Sequence, residues 1–337
     1  MDLTDPKKII IVQIGKIGDM ILTTPLFFGV KKLFPESKLT VLAGRINKDI
    51  PLNHPSVDEV LIYKKNLTSD IFLINSSLRK ADLWIDTKDN YSRTSELLMK
   101  IFKPKKSMGF NFEKKVFDIT LNEYRMGNHA VDINLSPLYY FNGSKDWKYI
   151  KPEFTIPAEI QSRIGSEIFS DASFIKVLIN VSAGDKSRYI QNDKWVGFIN
   201  MIKDSGKYCF YLTGLTKDID KINFILSNSK ELIIKYVRTS NILETAELIK
   251  RCDYIISADT SIVHICSVFN KPVVAVYPDV KWNLEKFMPL SDKKQIVISG
   301  KENSIEDVKA DEIVNAFNRL ITGGNAESRT RVRKEDH

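Results

Sequence analysis

Polar and acidic residues at two strand-to-helix turns are the parts of this chain whose types and spacing could do chemistry. The first turn lies within residues 252–278, CDYIISADTSIVHICSVFNKPVVAVYP. Two apolar runs there, Tyr254–Ser257 and Val273–Tyr277, have the length and β-branched content of buried parallel strands. Between them Ile262, Val263, Ile265, Cys266 and Phe269 recur at helical spacing, so the segment reads strand, loop, helix, strand. The loop Ala258-Asp259-Thr260-Ser261 falls where the first strand gives way to the helix. Asp259 there can cap the first turn, while backbone N–H groups and the hydroxyls of Thr260 and Ser261 point outward. That arrangement suits a diphosphate. The same residue types also make an ordinary N-cap, so the turn alone does not decide between the two.

The second turn is residues 13–25, QIGKIGDMILTTP. It follows the strand Ile9–Val12 and opens a helix reaching to about Phe34, with Met20, Ile21, Val30, Leu33 and Phe34 on its apolar face. Gly15 and Gly18 permit tight backbone geometry at the carboxyl edge of the strand, where open α/β sheets hold ligands. The spacing G-x-x-G-D is not the G-x-G-x-x-G of a dinucleotide site, which counts against a nicotinamide cofactor. Asp19 is either a first-turn acid complementing the helix dipole or a carboxylate placed for proton transfer.

The elements that must position these turns follow from length and pattern. The 337 residues exceed a single usual core and imply two domains, and 43% hydrophobic residues with alternating strand and helix periods imply a globular α/β protein. No apolar run reaches membrane-spanning length and MDLTDPKK lacks the apolar core of a signal peptide, so a cytoplasmic location is expected. Cys209, Cys252 and Cys266 are widely spaced in apolar surroundings and read as reduced packing residues; four scattered histidines give no metal-ligand spacing. The net charge of +8, with basic clusters at Lys103–Lys106, Lys114-Lys115 and Arg329–Lys334, favours anionic ligands or an anionic membrane face. Nucleic acid is disfavoured, because the aromatics do not interleave with the basic residues and no helix-turn-helix, zinc or RNP signature is present.

In the first half, strands are expected at Ile9–Val12, Leu39–Leu42, Val60–Tyr63, Leu83–Ile85 and Ser107–Phe110. Helices are expected at Leu22–Phe34, Ile71–Lys80, Ser92–Phe102 and Ala130–Phe141. A mixed stretch from Asn142 to Asp171 reads as the connection, with the linker proper at 156–172. A second series follows: strand Ile175–Asn180, helix Trp195–Lys203, strand Tyr208–Leu212, helix Ile219–Leu226, strand Leu232–Ile234 and helix Ile242–Arg251. The domains are then 1–155 and 173–322, and the polar tail 323–337 reads as disordered.

Five stretches in order resemble the glycosyltransferase family 9 heptosyltransferases. They are IIIVQIGKIGDMILTTPLFFGVKKLFPESKLTVL from Ile9, DTKDNYSRTSEL at Asp86–Leu97 with MGF at Met108–Phe110, His129-Ala130-Val131, NVSAGDKSRYIQNDKW at Asn180–Trp195, and DTSIVH at Asp259–His264. The resemblance implies a GT-B fold, two Rossmann-like parallel-sheet domains facing across a cleft. It implies inverting, metal-independent transfer of heptose from ADP-heptose to a lipopolysaccharide inner-core sugar, with no cofactor beyond the donor. Loose contact with the anionic inner face of the inner membrane would bring the glycolipid acceptor within reach. The alternatives are a GT-B transferase using another nucleotide sugar, and a non-catalytic nucleotide-sugar-binding protein on the same scaffold.

The family pattern also assigns roles. Asp19 matches its Gly-Asp carboxylate and is the expected base toward the acceptor hydroxyl, with Gly18 and Lys16 beside it on the acceptor side. Arg188 matches its phosphate-contacting Lys/Arg, with Lys186 the alternative; a guanidinium stays charged as the leaving group gains negative charge. Ser182, Ala183 and Gly184 would bring backbone N–H groups to the phosphates, and Asp259, Thr260 and Ser261 would complete that pocket. His264 is either a diphosphate contact or a buried structural histidine, and Asp218 would take the ribose hydroxyls. Asp86, Lys88 and Arg93 would meet the acceptor, although the two cations could equally coat a helix start. Three departures stand out: Gln13 replaces a basic residue, Ser261 replaces Gly, and Arg188-Tyr189-Ile190-Gln191 lacks the family's Trp-Pro.

Overall fold

Runs of isoleucine, leucine and valine without polar alternation become central strands, because a strand covered on both faces must be apolar on both. The computed structural model describes residues 3–64, 81–112, 114–143, 147, 150–168, 173–202, 205–229, 233–323 and 329–331. The chain divides into two units, Met1–Thr155 and Ile156–His337. In the first, β1 (Lys8–Gln13), β2 (Lys38–Gly44), β3 (Glu59–Tyr63), β4 (Leu83–Asp86), β5 (Lys106–Gly109) and β6 (Ile119–Thr120) form one sheet. Its order is β3-β2-β1-β4-β5-β6 and every pairing is parallel. Chain order therefore reverses between β1 and β4, the place where a doubly wound sheet opens a crevice at its carboxyl edge. The register sets Val12 beside Asp86, so the loops after both strands leave the sheet side by side.

The second unit repeats the plan. Its strands are β7 (Ile175–Asn180), β8 (Tyr208–Thr213), β9 (Ile233–Tyr236), β10 (Tyr254–Ala258), β11 (Val273–Tyr277), β12 (Lys294–Ile298) and β13 (Arg329–Arg331). Their order is β13-β12-β11-β10-β7-β8-β9, again parallel, with the reversal between β7 and β10. One face packs on a cluster that includes Trp195, Phe198, Phe210 and Phe317, and Phe198 meets Phe317 edge-on at 5.6 Å between ring centres. Cys209, Cys252 and Cys266 are buried and unpaired, matching their reading as packing residues. No helix among the described residues is long and apolar enough to cross a membrane.

Several expectations shift. The stretch 156–172 holds a helix, Ala158–Glu167, that belongs to the second unit and packs on the helix Ile242–Arg251. Arg163 pairs there with Glu244, and Arg251 donates to the Gln161 carbonyl at 3.0 Å, contacts that periodicity does not reveal. The helix Lys281–Phe287, β12 and the helix Ala310–Ile321 complete the unit beyond the elements expected from pattern. Within the polar tail, Arg329–Arg331 pair with β12, so backbone hydrogen bonding orders three residues whose composition suggests none. The expected helix Ile71–Lys80 lies outside the described residues.

Two helices expected to be continuous are each broken, and by the same device. Pro25 has no N–H for the Ile21 carbonyl and its ring crowds that oxygen. The chain makes a short helix Ile17–Ile21, then restarts as Thr24–Leu33 with Pro25 in its first turn. The Thr24 hydroxyl takes over the Ile21 carbonyl at 2.8 Å. Pro137 does likewise: helices Ala130–Asn134 and Ser136–Asn142 meet there, and the Ser136 hydroxyl donates to the Ile133 carbonyl at 2.8 Å. Buried Asn134 ties the two breaks together, its Nδ2 donating to the Leu22 carbonyl at 3.0 Å and to Thr23 Oγ1 at 3.1 Å.

Replacing Asn134 by Ala strands a buried carbonyl, so Asn134→Ala is expected to lower unfolding free energy by about 1–3 kcal/mol in urea titrations. A loss no larger than that of an ordinary surface substitution would show that the break does not depend on this amide.

Candidate active site

In the first unit the loop after β1 is held by side-chain amides. Asn47, fully buried, donates through Nδ2 to the carbonyls of Gln13 and Gly15, both at 3.0 Å, and accepts from the Gly44 N–H at 2.8 Å. Gln13 donates to Thr87 Oγ1 at 2.8 Å and Thr23 Oγ1 at 3.3 Å, and its Oε1 accepts from the Gly15 N–H at 3.1 Å. Gln13 thus joins the loops after β1 and β4 as a neutral crosslink, at the position where the motif this turn resembles carries a basic residue. A Cβ at Gly15 would stand 2.8 Å from Gln13 Oε1 and 3.0 Å from Asp19 Oδ2, so a side chain there would have to push one of these two groups aside.

Asp19 is the third residue of the helix Ile17–Ile21 and is partly exposed. Its Oδ2 accepts from the Lys16 N–H at 3.2 Å, which is the capping role, while Oδ1 accepts no hydrogen bond among the described residues. Lys16 is exposed and Gly18 lies beside it in the same turn. Lys88 and Arg93 are also exposed, Arg93 opening the helix Arg93–Phe102 that Ser92 caps at the Ser95 N–H, 3.2 Å away.

Asp86 differs from these. It is 1% exposed, its Oδ1 accepts from the Lys88 N–H at 2.9 Å, and its buried Oδ2 has no hydrogen-bond partner among the described residues. Burial pushes its carboxyl up to about 6, against the weaker opposing pull of Ser95 and Lys88.

In the second unit the loops after β7 and β10 converge on one buried amide. Asn180 Nδ2 donates to the Ser182 carbonyl at 2.9 Å, Ser257 Oγ at 3.0 Å and Thr260 Oγ1 at 3.5 Å. Ser182 and Ala183 are buried, whereas Gly184 and Lys186 are exposed. The N–H groups of Ala183 and Gly184 donate to no acceptor among the described residues, and the same holds for Thr260 and Ser261 at the start of the helix Ser261–Val268. Two pairs of unspent donors and a helix N-terminus therefore share the strand-order reversal. Thr260 Oγ1 caps that helix at the Ile262 N–H, 3.3 Å away.

Arg188, in the turn Lys186–Arg188, stands beside them. Its Nη1 lies 2.9 Å from the Asp259 carbonyl oxygen and 3.0 Å from Asp259 Oδ2. Asp259 is 3% exposed and its Oδ2 also accepts from Asn283 Nδ2 at 2.8 Å. The acid expected to cap the helix thus holds the arginine, and Thr260 does the capping. His264 is buried, with its ring 6.1 Å from that of Phe287. Asp218 is buried too, and both its oxygens are engaged: Oδ2 by the hydroxyls of Ser182 at 2.6 Å and Tyr189 at 2.9 Å, Oδ1 by Lys221 at 3.4 Å.

Asn47, Asn134, Asn180, Asn283, Tyr189 and Lys221 were not singled out from sequence. All but Lys221, which sits three residues after Asp218, reach a partner distant in the chain, and Asn180 and Tyr189 lie inside the motif Asn180–Trp195 without a role of their own in it. Among the described residues no group of three His, Cys, Asp or Glu side chains could hold a metal ion.

A doubly wound parallel sheet with N–H donors and a guanidinium at its reversal has the make-up of an anion-binding edge, and two such units in one chain agree with the GT-B architecture expected from the sequence. The glycosyl transferase family 9 protein of Veillonella parvula DSM 2008 shares this fold, with a TM-score of 0.80 at 17% identity over 95% of this chain and 99% of that one. Escherichia coli ADP-heptose lps heptosyltransferase II does so with a TM-score of 0.73 at 17% identity, over 94% of this chain and 99% of that one. In sequence, the "Putative lipopolysaccharide heptosyltransferase 4" of Escherichia coli (strain K12) is 23% identical, covering 94% of this chain and 89% of that protein. The family model for glycosyltransferase family 9 (heptosyltransferase) matches residues 73–316. The chain belongs to that family and is a glycosyltransferase, as its five motifs imply.

The raised Asp86 pKa has a measurable sign. Stability from its protonated form is fully present below about pH 4 and is lost as pH rises through about 6, a change on the order of 3 kcal/mol. Asp86→Asn should therefore gain thermal stability relative to the parent as pH is raised from 4 to 7.5. A difference in melting temperature that stays constant across that range would mean the carboxyl is not buried as described.

Proposed function

We propose that this chain transfers a heptose from ADP-heptose to an inner-core sugar of lipopolysaccharide, with inversion and without a metal ion. The observation that carries this reading is the set of unspent N–H groups at Ala183, Gly184, Thr260 and Ser261 beside Arg188. A departing diphosphate needs positive charge and fixed donors, and these supply both without reorganisation. The heptose donor is supported by family membership and by the ADP-heptose named for the related transferase II.

In this reading the acceptor hydroxyl attacks the anomeric carbon in a single displacement. The C–O bond to the diphosphate breaks as the new glycosidic bond forms, which inverts the anomeric centre. The hydroxyl proton passes to Asp19, whose Oδ1 is available to accept it. Negative charge grows on the nucleoside diphosphate and is met by Arg188 and the backbone donors. Lys88, Arg93 and Lys16, exposed near the carboxyl edge of the first sheet, would face the acidic groups of a lipopolysaccharide core. Exposed Lys103, Lys105, Lys114 and Lys115, with Phe112 49% exposed among them, would give peripheral contact with the anionic cytoplasmic leaflet.

Thermal shifts with ADP, UDP, GDP and NAD test the donor. A ligand at about a hundred times its Kd adds about 2.7 kcal/mol, and ADP is expected to stand clear of the rest. A larger shift with UDP or GDP would move the protein to another nucleotide sugar, and one with NAD would end the transferase reading. With ADP-heptose and a core acceptor, Asp19→Asn is expected to lose about a hundredfold or more in kcat while ADP still binds. Undiminished turnover in that variant would remove Asp19 as the base. Arg188→Ala should lose both turnover and ADP affinity, and should also melt earlier, because Asp259 stays buried with its cation gone.

A further inference from the structure

Two buried threonine hydroxyls at the carboxyl edge of the first sheet have each spent their single proton. Thr23 Oγ1 donates to the Asp19 carbonyl at 2.8 Å, and Thr87 Oγ1, where the loop after β4 begins, donates to the Val12 carbonyl at 2.9 Å. Each oxygen can therefore be completed only by a donor. Gln13 serves both from one nitrogen: Nε2 donates to Thr87 Oγ1 at 2.8 Å and to Thr23 Oγ1 at 3.3 Å. Its Oε1 is left to accept from the Gly15 N–H, 3.1 Å away. Buried Asn134 Nδ2 fills the remaining lone pair of Thr23 Oγ1 at 3.1 Å. The position of Gln13 thus calls for two donors and one acceptor, the set that a side-chain amide carries. A carboxylate would bring no donor, and an ammonium group or guanidinium no acceptor for the Gly15 N–H.

We propose that Gln13 is a positioning residue for Asp19, its amide setting where the Asp19 carboxylate stands relative to the loop after β4. The inference rests on the reading of Asp19 as the base. Two lines run from the amide to that residue. Through Thr23 it holds the Asp19 backbone carbonyl. Through Gly15 it holds the backbone against which the carboxylate lies, since the Lys16 N–H, next in the chain, donates to Asp19 Oδ2 at 3.2 Å. Asn47 grips the Gly15 carbonyl at 3.0 Å, so the peptide units on both sides of Gly15 are fixed. A third line ends on Thr87, the neighbour of Lys88. One amide therefore registers the base against the loop that would receive the acceptor. Misplacing a reacting group by about 1 Å can cost about a hundredfold in rate, so hydrogen bonds that never touch substrate still act on turnover.

A double-mutant cycle separates positioning from simple support. Gln13→Met keeps the length of the side chain, removes its N–H donors and replaces its oxygen by a weak acceptor. It is expected to lower kcat for heptose transfer about tenfold, while the Kd for ADP, measured by calorimetry on the full chain, changes by less than about twofold. Because the amide acts through the base, adding Gln13→Met to Asp19→Asn should lower the residual rate by no more than about twofold. A further loss of about tenfold on that background, or ADP weakened along with turnover, would make Gln13 a general support of the unit and overturn the proposal. Undiminished kcat in Gln13→Met would do the same. The base reading fails differently: Asp19→Asn then keeps its turnover, whereas a dead Asp19→Asn beside a fully active Gln13→Met rejects the positioning role alone. Should ADP-heptose not serve as donor, the cycle is run with a sugar of whichever nucleotide gives the largest thermal shift, and a parent inactive with all of them overturns both readings. Should Gln13→Met not fold, Thr87→Val decides, since it leaves the amide in place and removes its firmer partner. A kcat about threefold lower with unchanged ADP affinity upholds the role, and unchanged kcat or weakened ADP rejects it.

Discussion

Parallel pairing is the constraint from which the rest follows. When every strand in a sheet runs the same way, all carboxyl ends meet at one edge, and the loops that leave there have nowhere else to converge. In both units chain order reverses beside the first strand, so the loops that leave the two central strands start side by side at one edge. Asp19 and Asp86 share that edge in the first unit, and Gly184, Arg188 and Thr260 share it in the second. The chemistry of the chain is placed by strand order before any side chain is chosen.

Side chains then decide what those edges tolerate. A cluster of N–H donors with an arginine is electropositive, and Asp259 offsets it with a carboxylate held by Asn283 from behind. The pair keeps Arg188 oriented at modest desolvation cost, because the guanidinium side chain stays 30% exposed. In the first unit the balance is different. Amides hold the loop after β1, and the buried Asp86 oxygen goes without a partner among the described residues, a local cost borne by the surrounding sheet.

Much of this was legible in the residues. β1, β10 and β11 announce themselves as uninterrupted apolar runs, and the loops after them carry the small and polar residues that such edges need. The five family motifs supplied the roles that spacing left open. What escaped is of two kinds. Pro25 and Pro137 were visible, but that each would split a helix depended on Thr24 and Ser136 taking the abandoned carbonyls, a local bargain that periodicity does not register. Partners far apart in the chain escaped entirely. Asp259 looked like a helix cap because nothing near it in sequence says that Arg188, 71 residues away, will claim its oxygens. Ser182 and Tyr189 likewise reach Asp218 only after folding.

The lengths of the outermost strands carry a further consequence. The first sheet ends on one side in β6, two residues long, and the second in β13, three residues long. An open border of a sheet is a template on which another chain can continue the hydrogen-bond ladder, and its danger scales with how many consecutive groups it offers. Stubs this short offer too few to seed such growth, yet each covers part of a longer neighbour, β5 or β12, that would offer more. The polypeptide thus blunts one border of each sheet, leaving these flanks poor nuclei for fibrous aggregation.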